Sequence, residues 1–120
     1  MITEDFVSYE TAKLLKEKGF REHCTTAYYP KATPGVRIEC PTLQMAMKWV
    51  REVHNLECDI SFDPYSKASK EPPYWMSINT SKFDSPHHSA ILWQSPVRTH
   101  FDTYEEAVEA AIKYCLENVI

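Results

Sequence analysis

Between Thr42 and Phe62 the spacing of apolar residues switches from that of a helix to that of a strand with almost no residues to spare. Leu43, Ala46, Met47, Val50 and Val53 recur at helical spacing, with Lys48, Arg51 and Glu52 elsewhere around the wheel. Leu56, Cys58, Ile60 and Phe62 then alternate with Glu57, Asp59 and Ser61, the pattern of a strand with one face on a core. Asp63 and Pro64 end that strand. An amphipathic helix followed at once by a half-buried strand calls for helix packed on sheet, an α+β arrangement.

The flanks extend this pattern. In SYETAKLLKEKGF, Ser8 can cap a helix, Gly19 can take the left-handed conformation after it, and Phe20 can fold back onto Leu15. Arg21 to Tyr29 favours a strand by composition and is stopped by Pro30. Pro30, Pro34 and Gly35 make a loop, and Val36 to Ile38 a short extended piece. Tyr74 to Thr80 and Ala90 to Gln94 are two more strands, and the polar segments 64–73 and 81–89 read as mobile loops. Asp102 or Thr103 opens a last helix, where Thr103 with Glu106 fits a capping box and Glu105 and Glu106 suit the positive helix end. Tyr104, Val108, Ala111 and Cys115 form its inward stripe. With no internal repeat and no linker, residues 1–120 are expected as a single α+β domain. The expected fold has three helices on a mainly antiparallel sheet of about four strands, in the order α-β-α-β-β-β-α.

Composition narrows the function. A formal charge of -4 repels polyanions, so nucleic acid or anionic lipid would need a local basic patch. The opening MITEDFVSYE lacks the basic and apolar regions of a secretory signal, and no stretch approaches the roughly 18 apolar residues of a membrane span. A cytoplasmic protein with reduced thiols is therefore expected. Gly19 and Gly35 are the only glycines, too few for a phosphate-cradling loop or a nucleophile turn, so no nucleotide and no cofactor is expected.

Cys40, His54 and Cys58 invite a zinc reading. Cys40 precedes the predicted helix and His54 ends it, which sets them roughly 20 Å apart, whereas zinc ligands sit about 2.0 to 2.3 Å from one ion. Cys58 and Cys115 lie on inward stripes and read as small apolar side chains. His23 and Cys24 are adjacent on a predicted strand and point to opposite faces, which is no nucleophile and base pair. His87 and His88, with His100 beyond, read as polar loop residues rather than ligands, and no metal is expected. Glu57 and Asp59 share one strand face at a carboxylate separation of roughly 6 to 7 Å, but acids there more simply keep a sheet wet. Trp49 sits beside its helix stripe and Trp75 opposes Tyr74, Met76 and Ile78 in the alternation. These aromatics either mark a partner surface or lie under a second element.

From Thr42 onward the order of elements is also that of the double-stranded-RNA-binding domain. That family places lysines where this chain has TYEEAVEAA, so the likeness fails at the ligand. ETAKLLKEKGF, PTLQMAMKWVREVHN and YEEAVEAAIKYCLENVI, about a third of the chain, resemble small proteins carried by prophages and mobile elements of gut Bacteroidales. The resemblance implies a cytoplasmic accessory protein and transfers no activity. The expected function is thus a non-enzymatic module that binds a protein partner or itself through sheet edge and aromatic surface, with Trp49, Trp75, His87 and His88 as the candidate surface. The alternatives are a nucleic-acid-associated phage protein acting through a local patch and a small thiol- or metal-dependent hydrolase.

Overall fold

The structure, a computed structural model, describes residues 2–80, 90–94 and 100–120. Helix α1 spans Tyr9–Glu17, where the Ser8 side chain accepts from the Thr11 N–H. Gly19 follows at φ +101, and the Phe20 N–H closes the helix on Leu15 O at 2.9 Å. Helix α2, Leu43–His54, is capped by Thr42 and ends on Asn55 in the left-handed region. That single residue turns the chain into strand β3, Leu56–Phe62. Helix α4, Tyr104–Tyr114, starts on Thr103, whose hydroxyl accepts from the Glu106 N–H, and runs into a π-helical turn over Cys115–Val119.

The remaining strands do not join one sheet of four. Strands β1 (Ala27–Tyr28) and β2 (Ile38–Glu39) pair with each other, while β3, β4 (Tyr74–Thr80) and β5 (Ala90–Gln94) form a separate antiparallel sheet in that order. The expected strand over Arg21 to Tyr29 shrinks to its last part for a local reason. Glu39 accepts the Cys24 N–H at 2.9 Å and Arg37 donates to Cys24 O at 2.7 Å, so side chains take the backbone groups that a ladder would use. The segment 64–73 also differs from an irregular loop, because it carries a short fourth helix, α3, at Ser66–Ser69. Asp63 starts it by accepting the Tyr65 N–H on its side chain at 2.9 Å, and Lys70 stops it at φ 59. The segment 81–89 lies outside the described residues.

Helices α2 and α4 pack against each other and against β3, with α4 reaching β4, and α1 packs on α4 and β2. Leu15, Val50, Leu56, Ile78, Val108 and Ile112 belong to one core. Alanines at Ala12, Ala46, Ala107 and Ala111 are fully buried, which lets the helices approach closely. Val53, expected on the α2 stripe, is 56% exposed, and Trp49 is buried instead. The long indole crosses the side of the helix to meet the Phe20 ring at 5.5 Å and the His54 ring at 4.8 Å, both edge-on.

Candidate interaction surface

Among the described residues, strand β3 is an edge of its sheet. Tyr74 on β4 both donates to and accepts from Phe101, at 3.1 and 2.7 Å, so the Tyr74 backbone groups point away from β3. The β3–β4 register is regular from Leu56↔Thr80 to Phe62↔Tyr74. In an antiparallel pair hydrogen-bonded and non-bonded positions alternate, so Glu57, Asp59 and Ser61 bond to β4. The N–H and C=O groups of Leu56, Cys58, Ile60 and Phe62 therefore face outward. Among the described residues no backbone group pairs with them.

Side chains along this edge sort by face. Glu57 and Asp59 are exposed on the wet face, while Leu56 and Cys58 are buried and Ile60 half-buried on the other. Phe62 closes the strand at 58% exposure, its ring 5.3 Å from Tyr74, which in turn meets Tyr104. Trp75 lies on the face of β4 opposite Met76 and Ile78, half-buried, with Ser77 buried beside it. Of the residues expected at the surface, Trp49 is corrected to the core at 9% exposure, because Phe20 and α2 itself cover it. Trp75 is near the edge, opposite Ser61 in register. His87 and His88 lie outside the described residues, and His100 Nδ1 donates to Pro72 O, 3.0 Å away.

A second feature had no signal in the sequence. A groove of about 660 Å³ runs between the N-terminal segment and α4, with Phe6, Val7, Tyr28, Phe101, Glu105 and Glu109 in its walls. Glu109 Oε1 accepts from the Ser8 N–H at 3.0 Å and from the Thr11 hydroxyl at 2.6 Å, so a carboxylate from mid-α4 sits at the positive end of α1. One turn on, Lys113 meets Glu10 at 2.8 Å; the bond lowers the Glu10 carboxyl and raises the Lys113 ammonium. These partners are about a hundred positions apart in sequence, beyond the reach of any local pattern. Glu109 Oε1 thus answers structural donors at the start of α1, and the groove is the seam between the N-terminal segment and α4.

The ribbon has its own charged knot. Arg37 donates to both oxygens of Glu39 at 2.7 and 3.2 Å and to Tyr29 Oη at 2.6 Å. That guanidinium, together with the Cys24 N–H, holds the Glu39 carboxyl down at about 2. The spacing Arg37, Glu39 is visible in the chain, but nothing there says that Cys24 supplies the third contact.

The thiols are dispersed by α2 as its length requires. Cys40 donates to Val7 O at 3.4 Å before the helix, and Cys58 faces Cys115 after it at 3.9 Å between sulfurs. Burial raises the Cys24 and Cys40 thiols, which keeps them protonated donors rather than nucleophiles. Among the described residues no histidines, cysteines and acids gather in a group able to hold a metal ion, and no helix is long and apolar enough to cross a membrane. Comparisons of the chain with protein-family models, with curated proteins and with solved structures found no match.

Proposed function

We propose that this protein is an interaction module, an accessory of the kind prophages and mobile elements carry in the cytoplasm, which adds an extended segment of a protein partner to the open edge of β3. The supporting observation is the row of outward backbone groups at Leu56, Cys58, Ile60 and Phe62. The charge pattern selects the occupant. A strand laid beside β3 places alternate side chains opposite Glu57 and Asp59 and the others beside Ile60 and Phe62, so the fitting segment alternates Lys or Arg with apolar residues. A second copy fits worse. Two-fold pairing of β3 with Leu56 opposite Phe62 sets Asp59 against Asp59, and a shift toward the strand's start sets Glu57 against Asp59. A polyanion finds no welcome beside those acids.

The test is a dye-labelled peptide of alternating Lys and Val titrated with the protein and followed by anisotropy. Saturable binding with a Kd below about 1 mM is expected, weakening as salt rises. A peptide of alternating Glu and Val should not bind. Equal binding of the two peptides, or none of either, removes the proposal, and a dimer by light scattering at neutral pH reassigns the edge to a second copy.

A further inference from the structure

The chain has four cysteines, all free and all buried, and they fall into two classes by what each sulfur faces. Cys24 and Cys40 donate to backbone carbonyls, Glu22 O at 3.7 Å and Val7 O at 3.4 Å. Cys58 and Cys115 have each other, at 3.9 Å, across 57 positions of sequence and from different elements, β3 and the turn that ends α4. A disulfide brings two sulfurs to about 2.05 Å, so closure asks for about 2 Å of travel, the scale of a torsional adjustment in each side chain.

We infer that Cys58 and Cys115 form a reversible dithiol and disulfide couple, a covalent modification site that ties the edge strand to the C-terminal helix. The two members are not equivalent. Either thiol can donate across the contact. A proton held on Cys115 lowers Cys58 against the opposing effect of burial and raises Cys115, and Cys58 is the more accessible, at 8% exposure against none for Cys115. Cys58 is the attacking sulfur, and its strand is where a small oxidant enters, since an edge with unpaired outward groups opens locally before a central strand does. With hydrogen peroxide, the Cys58 thiolate takes one oxygen to give the sulfenic acid and releases hydroxide. The Cys115 sulfur then displaces that oxygen, and its proton leaves with it as water. Two thiols and one peroxide thus become one disulfide and two waters. With glutathione disulfide, two successive exchanges give the same product and two molecules of glutathione.

The experiment uses the full chain, reduced, then exposed to a small excess of hydrogen peroxide or to a glutathione redox buffer, quenched, unfolded and alkylated with N-ethylmaleimide. The oxidised protein should be lighter by two hydrogens before alkylation, should take two maleimides where the reduced form takes four, and should yield a cross-linked peptide pair containing Cys58 and Cys115. Dithiothreitol should restore all four thiols. The closed loop is long, so the thermal midpoint should rise on oxidation by about 10 °C. Cys115→Ala should abolish the cross-link and leave Cys58 as a sulfenic acid or a glutathione adduct. Four maleimides after oxidation, or a cross-link between another pair, overturns the inference in the unmutated protein, whatever the variant does.

Discussion

The β1–β2 ribbon and the β3–β4–β5 sheet are both antiparallel, but their cohesion has different sources. In the ribbon, strands of two residues contribute almost no ladder, and Glu39 and Arg37 hold Cys24 and Tyr29 through charged side chains. In the sheet, β3 and β4 pair over seven residues each, and Leu56, Met76 and Ile78 lie under α2 and α4. The ribbon therefore adds a charged knot sensitive to protonation to its one buried strand residue, Ile38, whereas the sheet rests on apolar burial sensitive to volume. The sheet offers another chain a longer backbone edge than the two-residue strands of the ribbon do.

The sharpest break of this contrast comes from Ile78→Ala, which empties a fully buried site on β4 and should lower unfolding free energy in urea by about 2 to 5 kcal/mol. Glu39→Ala should cost less, about 1 to 3 kcal/mol, through the unpaired Cys24 N–H and Arg37. If the two losses are equal, the distinction between an apolar sheet and a polar ribbon fails. The acid limb of stability sharpens it further. Glu39 titrates lower in the folded chain than its ordinary 4.5, so its contribution is complete above that value and disappears as pH falls toward about 2. Urea titrations across that window should show a loss in the parent protein that Glu39→Ala lacks.

Thr11→Val removes the hydroxyl that Glu109 accepts and should cost about 1 kcal/mol, a measure of how much the α1–α4 seam depends on one polar contact. Asp59→Lys is the smallest in stability, within about 0.5 kcal/mol, because the side chain is exposed. Its effect belongs to binding, where it should abolish association with the alternating Lys and Val peptide. A stable Asp59→Lys protein that still binds that peptide would show the β3 edge to be irrelevant.

The elements legible in the chain are those with both a period and a cap. Ser8 and Gly19 bracket α1, Thr42 and Asn55 bracket α2, and Thr103 opens α4, each by a bond between residues three to five apart. The alternation in β3 likewise needed no partner to be read, and it sets Leu56 and Cys58 inward against Glu57 and Asp59 outward. Misreadings occurred where a side chain, distant or two residues away, competes with the preference of the segment as a whole. The strand expected from Arg21 is cut short by Glu39, the Trp49 ring is covered by Phe20, and the polar run after Asp63 coils into α3 around one aspartate.

Local order in this protein was written into the chain because a cap, a left-handed turn or an alternating strand is stabilised by neighbours in sequence. The division into two sheets, the side of β3 that faces away from β4, the carboxylate of Glu109 at the start of α1 and the meeting of Cys58 with Cys115 were decided by the tertiary structure alone. Each joins residues far apart along the chain, and no periodic pattern specifies which distant groups the closing of a core will bring together.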